Sequence, residues 1–150
     1  MTTPEITAHL GAEPFVDLVT FRRDGRPVHT PVWVSTDGEM LFVSTFGHSG
    51  KVLRLRHTPL VAVAACTGDG QLFADSPFVA GQALVLDRSE FAPGVRAHKR
   101  KYGTHFAIMW PARWAFRLVG RRRVWILITL TPEIALPDIP PPETPMETHP

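Results

Sequence analysis

Two short turn signals do most to limit what this chain can become. Asp24-Gly25 and Asp37-Gly38 each lie between apolar runs, and each offers residues that tolerate the positive-φ backbone of a tight hairpin. The flanking runs, 15–22, 27–35 and 40–44, are rich in Val, Phe, Leu and Thr, which suits half-buried strands. Three antiparallel strands in succession follow. A third turn signal, Gly68-Asp69-Gly70, comes after a continuous apolar run over 60–66. Residues 78–87 then read as a long strand bulged at Gly81, and 124–130, closed by Thr131-Pro132, as the last.

This pattern predicts a mainly β (α+β) fold of six mostly antiparallel strands with short peripheral helices. A set of that size protects its edges by closing into a barrel or by pairing in a dimer. Thr3 caps a first helix, with Pro4 in its first turn and Gly11 at its end. A second helical segment covers 89–103, interrupted at Pro93-Gly94. Between 104 and 118 the apolar residues Phe106, Met109, Trp110, Trp114 and Leu118 approach helical spacing, but Pro111 breaks any long helix.

The 150 residues suit one domain, assigned to 1–136, and there are no internal repeats. The remaining 14, 137–150, carry Asp138, Glu143 and Glu147 with no Lys or Arg, and are rich in proline. Such a tail is expected to be disordered or extended. Without its three carboxylates the formal charge of the body rises from +2 to +5, which favours an anionic small molecule or cofactor as readily as nucleic acid. No apolar run approaches the roughly 18 residues of a membrane span, and a basic-then-apolar leader is absent, so a cytoplasmic protein is expected. A single cysteine, Cys66, rules out an internal disulfide framework, and its apolar setting marks a structural thiol.

A short helix must join the third and fourth strands. Ser49 caps it, Pro59 stops it, and Lys51 and Arg54, three apart, share one face. Two readings fit these residues. In one, the Ser49 hydroxyl, the first-turn amides, the close backbone at Gly50 and two cations grip a phosphate. In the other, a solvated basic helix turns Val52 and Leu55 to the core. The Walker phosphate loop is not present, since no glycine stands five positions before Gly50 and no Ser or Thr follows Lys51.

Taken together, Arg22-Arg23-Asp24-Gly25-Arg26-Pro27, Thr30-Pro31-Val32-Trp33-Val34, Ser44-Thr45 and Ser49-Gly50-Lys51-Val52-Leu53-Arg54-Leu55-Arg56 resemble the pyridoxamine 5′-phosphate oxidase-like split β-barrel superfamily. Within it they are similar to the deazaflavin-dependent oxidoreductases that use coenzyme F-420. The resemblance covers residues 15–63 and, more loosely, the last strand. It implies a homodimer of split barrels with a cofactor in a groove between subunits. The ring system would rest on Thr30, Pro31, Val32 and Trp33. The phosphate would sit at Ser49, Gly50 and Lys51, with Thr45 and Arg54 beside it. A deazaflavin transfers hydride, so the protein has to orient the ring and exclude water, and no side chain is nominated as catalytic.

Other candidates have plainer readings beside the functional ones. His29 and His48 flank the expected groove and suit either proton donation or a polar contact. His98 and His105 lack a carboxylate between them, so no metal site is expected. Tyr102 and Trp33 either line the substrate pocket or pack. Trp110, Trp114 and Phe116 belong to the core or shape substrate choice. Arg121-Arg122-Arg123 opens a strand, which suits a solvated strand entrance or a clamp on an acidic cofactor tail better than nucleic acid. The leading expectation is hydride transfer between F-420 and a small organic acceptor. FMN on the same barrel, or a non-catalytic carrier of flavin, deazaflavin or haem, are the alternatives.

Overall fold

The fold is described from a computed structural model, over residues 1–47, 49–74, 76–103 and 123–142. The elements run α1 (Thr3–Ala12), β1 (Phe15–Phe21), β2 (Pro27–Asp37), β3 (Met40–Phe46), α2 (Gly50–Leu55), β4 (Leu60–Cys66), β5 (Val79–Val85), α3 (Ala92–Tyr102) and β6 (Arg123–Leu130), with a single 3-10 turn, Arg88–Glu90, before α3. The six strands close into an antiparallel barrel in the order β1-β2-β3-β6-β5-β4. Closure removes the exposed edges that the strand pattern would otherwise leave.

Both hairpin signals do what their chemistry demands. Gly25 has φ 88 and Gly38 φ 67, in the left-handed region that other residues rarely enter. Asp37 and Met40 are paired across a two-residue turn, while Phe21 pairs with Pro27 across a longer loop in which the Arg22 and Arg26 backbones bond.

Strand periodicity sorts the side chains into three apolar clusters. Val16 and Leu18, Val32 and Val34, Leu41 and Val43, Val61 and Val63, Ile126 and Ile128 fill the barrel, with Leu10 of α1 and Leu55 of α2 at its openings. Truncating Leu18, Leu41, Ile126 or Ile128 to alanine costs about 2–5 kcal/mol. On one outer face, α3 lays Ala97 against Phe42, Leu86 and Trp125. Gly94 makes that approach possible, because a Cβ there would lie 2.7 Å from the Trp125 ring. On another, Val19, Phe21 and Ala62 are covered by Phe78, Leu136 and Ile139.

Several local expectations are corrected. The cap of α1 is Thr2, which forms a reciprocal capping box with Glu5, and the helix runs through Gly11 to Ala12. Gly81 makes no bulge. It pairs in register with Val61 and Leu130, and the reason for glycine is room, since a Cβ would meet the Thr129 carbonyl at 3.1 Å. Pro93 does not interrupt α3 but stands in its first turn, where a missing N–H costs nothing. Residues 135–142 have no regular secondary structure, and among them Leu136 and Ile139 pack against Val19, Phe21 and Ala62. Residues 104–122 and 143–150 lie outside the described residues, and with them the aromatic segment, His105, Arg121 and Arg122.

Candidate functional site

The sheet divides between β2 and β3. Their ladder covers only Val34↔Val43 to Asp37↔Met40, while the first half of β2, from Pro27 to Trp33, pairs with β1 alone. Past Val43, the residues Ser44, Thr45 and Phe46 pair only with β6. The two strands thus part where the expected ring-binding residues, Thr30 to Trp33, and the expected phosphate-binding residues begin. α2 leaves β3 at this opening and turns Val52 and Leu55 inward, as the spacing predicts.

Lys51 is the anomaly of the site. Its side chain is only 4% exposed, and among the described residues no carboxylate stands within ion-pairing distance. Burial, then the positive charges of Arg54 and Arg123, push its ammonium down to about 8. Arg54, half-buried, is lowered first by burial and then by Arg22. Its Nε donates to Thr20 Oγ1 at 2.6 Å, and its guanidinium folds back over Gly50, where a Cβ would meet Nη1 at 2.6 Å. Arg123 donates from Nε to Ser44 Oγ at 3.0 Å and from Nη2 to the Ser44 carbonyl at 3.2 Å, and lies over the Phe46 ring. Lys51, with Arg54 and Arg123 close enough to depress its pKa, makes a concentration of positive charge that suits an anion.

Ser49 has the extended backbone of a cap, yet its hydroxyl makes no cap hydrogen bond. Instead it accepts from the buried Thr45 hydroxyl at 3.5 Å. Gly50 is exposed at the start of α2. His48 lies outside the described residues.

On the β2 side, the Thr30 N–H donates to Asp17 at 3.1 Å, and Pro31 stands opposite Asp17. Val32 points into the barrel core, so only its backbone can reach a ligand. Trp33 points outward and stacks on Tyr102 at 5.3 Å. The Tyr102 hydroxyl donates to the Val34 carbonyl and accepts from the Val34 N–H, and Lys101 Nζ donates to the Glu13 and Val34 carbonyls, so the end of α3 is fastened to β2. Burial raises Tyr102 to about 12 and lowers Lys101 to about 8. Tyr102 and Trp33 thus pack on each other where α3 ends.

His98 is buried, its Nδ1 2.5 Å from Ser35 Oγ and its ring edge-on to Trp125. His29 lies between Asp17 and Pro140, within hydrogen-bond distance of both. The Cys66 thiol is raised to about 12, chiefly by burial, and stays protonated. Among the described residues no group of three or more His, Cys, Asp or Glu is placed to hold a metal, and no helix is long and apolar enough to cross a membrane.

No family model and no curated protein matches the sequence. Solved structures match along most of the chain. A provisionally assigned pyridoxamine 5′-phosphate oxidase from Listeria innocua is 19% identical, with a TM-score of 0.55 over 85% of this chain and 92% of that one. An FAD-binding protein from Mesorhizobium loti is 19% identical, with a TM-score of 0.59 over 87% and 88%. An F-420 reductase is 21% identical, with a TM-score of 0.50 over 85% and 95%. With its closed six-stranded barrel parted between β2 and β3, the chain has a split β-barrel fold, which it shares with these solved structures.

Proposed function

We propose that the protein is an oxidoreductase that transfers hydride between the deazaflavin coenzyme F-420 and a small organic acceptor. The observation that carries this reading is Lys51, a buried ammonium with no carboxylate partner among the described residues, flanked by Arg54 and Arg123. A charge left so is costly, and a phosphate supplies what it lacks. Thr45, Ser49 and the exposed backbone at Gly50 complete a phosphate cradle of hydroxyls, amide and cations.

Bound there, the cofactor supplies the hydride chemistry. The residues of this chain position it. The half of β2 that has no ladder partner on its β3 side offers the backbone of Thr30, Pro31, Val32 and Trp33 to the edge of a planar ring, on a strand held rigid by β1. The count of cations, more than one phosphate needs, favours the polyanionic F-420 over FMN. Two such barrels would pair to enclose the groove and keep water from the ring. The fold shared with an F-420 reductase and an FAD-binding protein agrees with a ligand of this class.

Thermal unfolding with F-420, FMN or neither tests the reading, because a ligand of the folded state alone raises the midpoint by mass action. F-420 is expected to give the larger shift. A shift with FMN and none with F-420 moves the activity to a flavin, and no shift with either removes the cofactor site.

A further inference from the structure

A second device lies on the outward face of the β1–β2 ladder, which carries Val19 and Phe21. Asp17, on the outward face of β1, is fully buried, and its carboxylate accepts from the Thr30 N–H. His29 lies beside it with a side chain 9% exposed, Nδ1 2.6 Å from Asp17 Oδ2 and Nε2 2.8 Å from the Pro140 carbonyl. A carboxylate and a carbonyl are both acceptors, so the form of the ring that satisfies both is the imidazolium, with a proton on each nitrogen. Around this bond the tail segment 136–140 packs Leu136 and Ile139 over Val19, Phe21 and Ala62.

We propose that residues 136–140 form a strap over the β1–β4 face that is latched by protonated His29 and released when that ring loses its proton. The neutral ring keeps Nδ1–H toward the Asp17 carboxylate and turns a lone pair at Nε2 toward the Pro140 carbonyl, so the latch becomes a repulsion. Among the described residues, Asp17 is the charged group that bears on the ring. Phe78 faces it with an apolar ring at 6.0 Å, and Asp138 of the strap is exposed. Burial alone would lower the His29 pKa, but the Asp17 hydrogen bond and charge, with the Pro140 carbonyl, outweigh it and raise the pKa above 6.5. A raised folded value means the latch contributes fully below the ordinary histidine value and is lost as pH rises through the folded one.

Leu136 and Ile139 are only partly buried, and ordering backbone costs on the order of 1 kcal/mol per residue, so the polar anchor adds to what holds the strap down. Release bares Val19, Phe21 and Ala62 together with Phe78, an apolar face on the outside of the barrel.

Nuclear magnetic resonance on the intact chain tests the latch by following the His29 ring nitrogens and the Ile139 and Leu136 amides from about pH 5 to about pH 9. The ring titration and the loss of strap order are expected to share one midpoint, above that of an ordinary histidine. In His29→Gln, which does not titrate, the pH dependence of the strap is expected to vanish while the barrel amides stay unchanged. Strap amides that ignore pH across the His29 titration, or a pH dependence that persists in His29→Gln, would overturn the proposal.

Discussion

Arg54 Nε donates a 2.6 Å hydrogen bond to the hydroxyl of Thr20, a fully buried residue on β1, and this bond aims the guanidinium at the start of α2 rather than into solvent. Thr20→Val keeps the shape and removes the acceptor. The affinity for a phosphate-bearing ligand is expected to fall several-fold, about 1 kcal/mol, in calorimetric titration. Thr20→Ser, which restores the hydroxyl, is expected to recover most of it. Equal affinities in all three proteins would show that Arg54 does not depend on Thr20.

Lys51 costs the ligand-free protein stability. Lys51→Met, which keeps the length and removes the charge, is expected to stabilise the protein without ligand by on the order of 1–2 kcal/mol in urea unfolding. A destabilised variant would mean that the ammonium has an internal partner.

The same lysine sets a pH dependence. Its folded value of about 8 lies below the ordinary 10.5, as does that of Lys101, so between these values the unfolded chain binds more protons. Below about 8 the burial penalty is fully present, and stability is expected to rise with pH from there to about 10.5. Lys51→Met should flatten part of that rise. Phosphate binding in the same window should take up a proton, read as a dependence of the binding enthalpy on buffer ionisation.

Gly94 is where α3 touches the barrel. A Cβ there would stand 2.7 Å from Trp125 Cε3 and 3.1 Å from Phe42 Cδ1, both parts of rigid rings. Gly94→Ala is expected to lower the unfolding free energy by roughly 1–3 kcal/mol, although alanine is the better helix former. A variant as stable as the parent would show that α3 moves away at no cost.

The barrel was legible in the sequence because its signals are local. Asp24-Gly25, Asp37-Gly38 and the alternation around them act within a few residues, as does the spacing that turns Val52 and Leu55 inward. Ser49 does stand at the cap position of α2, but its hydroxyl makes no cap hydrogen bond and lies 3.5 Å from that of Thr45. The partners that complete the site were out of reach for a different reason. Thr20 is 34 positions from Arg54, and Ser44 is 79 from Arg123, so only barrel closure brings them together. Asp17 and His29 likewise become a pair through the β1–β2 register, and Pro140 reaches them from 111 positions away.

Lys51, buried with no carboxylate partner among the described residues, is proposed to await a phosphate. A calorimetric titration of coupled F-420 binding to the parent protein and to Lys51→Met measures this directly. Saturable binding by the parent and a loss of at least tenfold in the variant, about 1.4 kcal/mol, is the expected result. Equal affinity in the two proteins, with the variant folded, would contradict it.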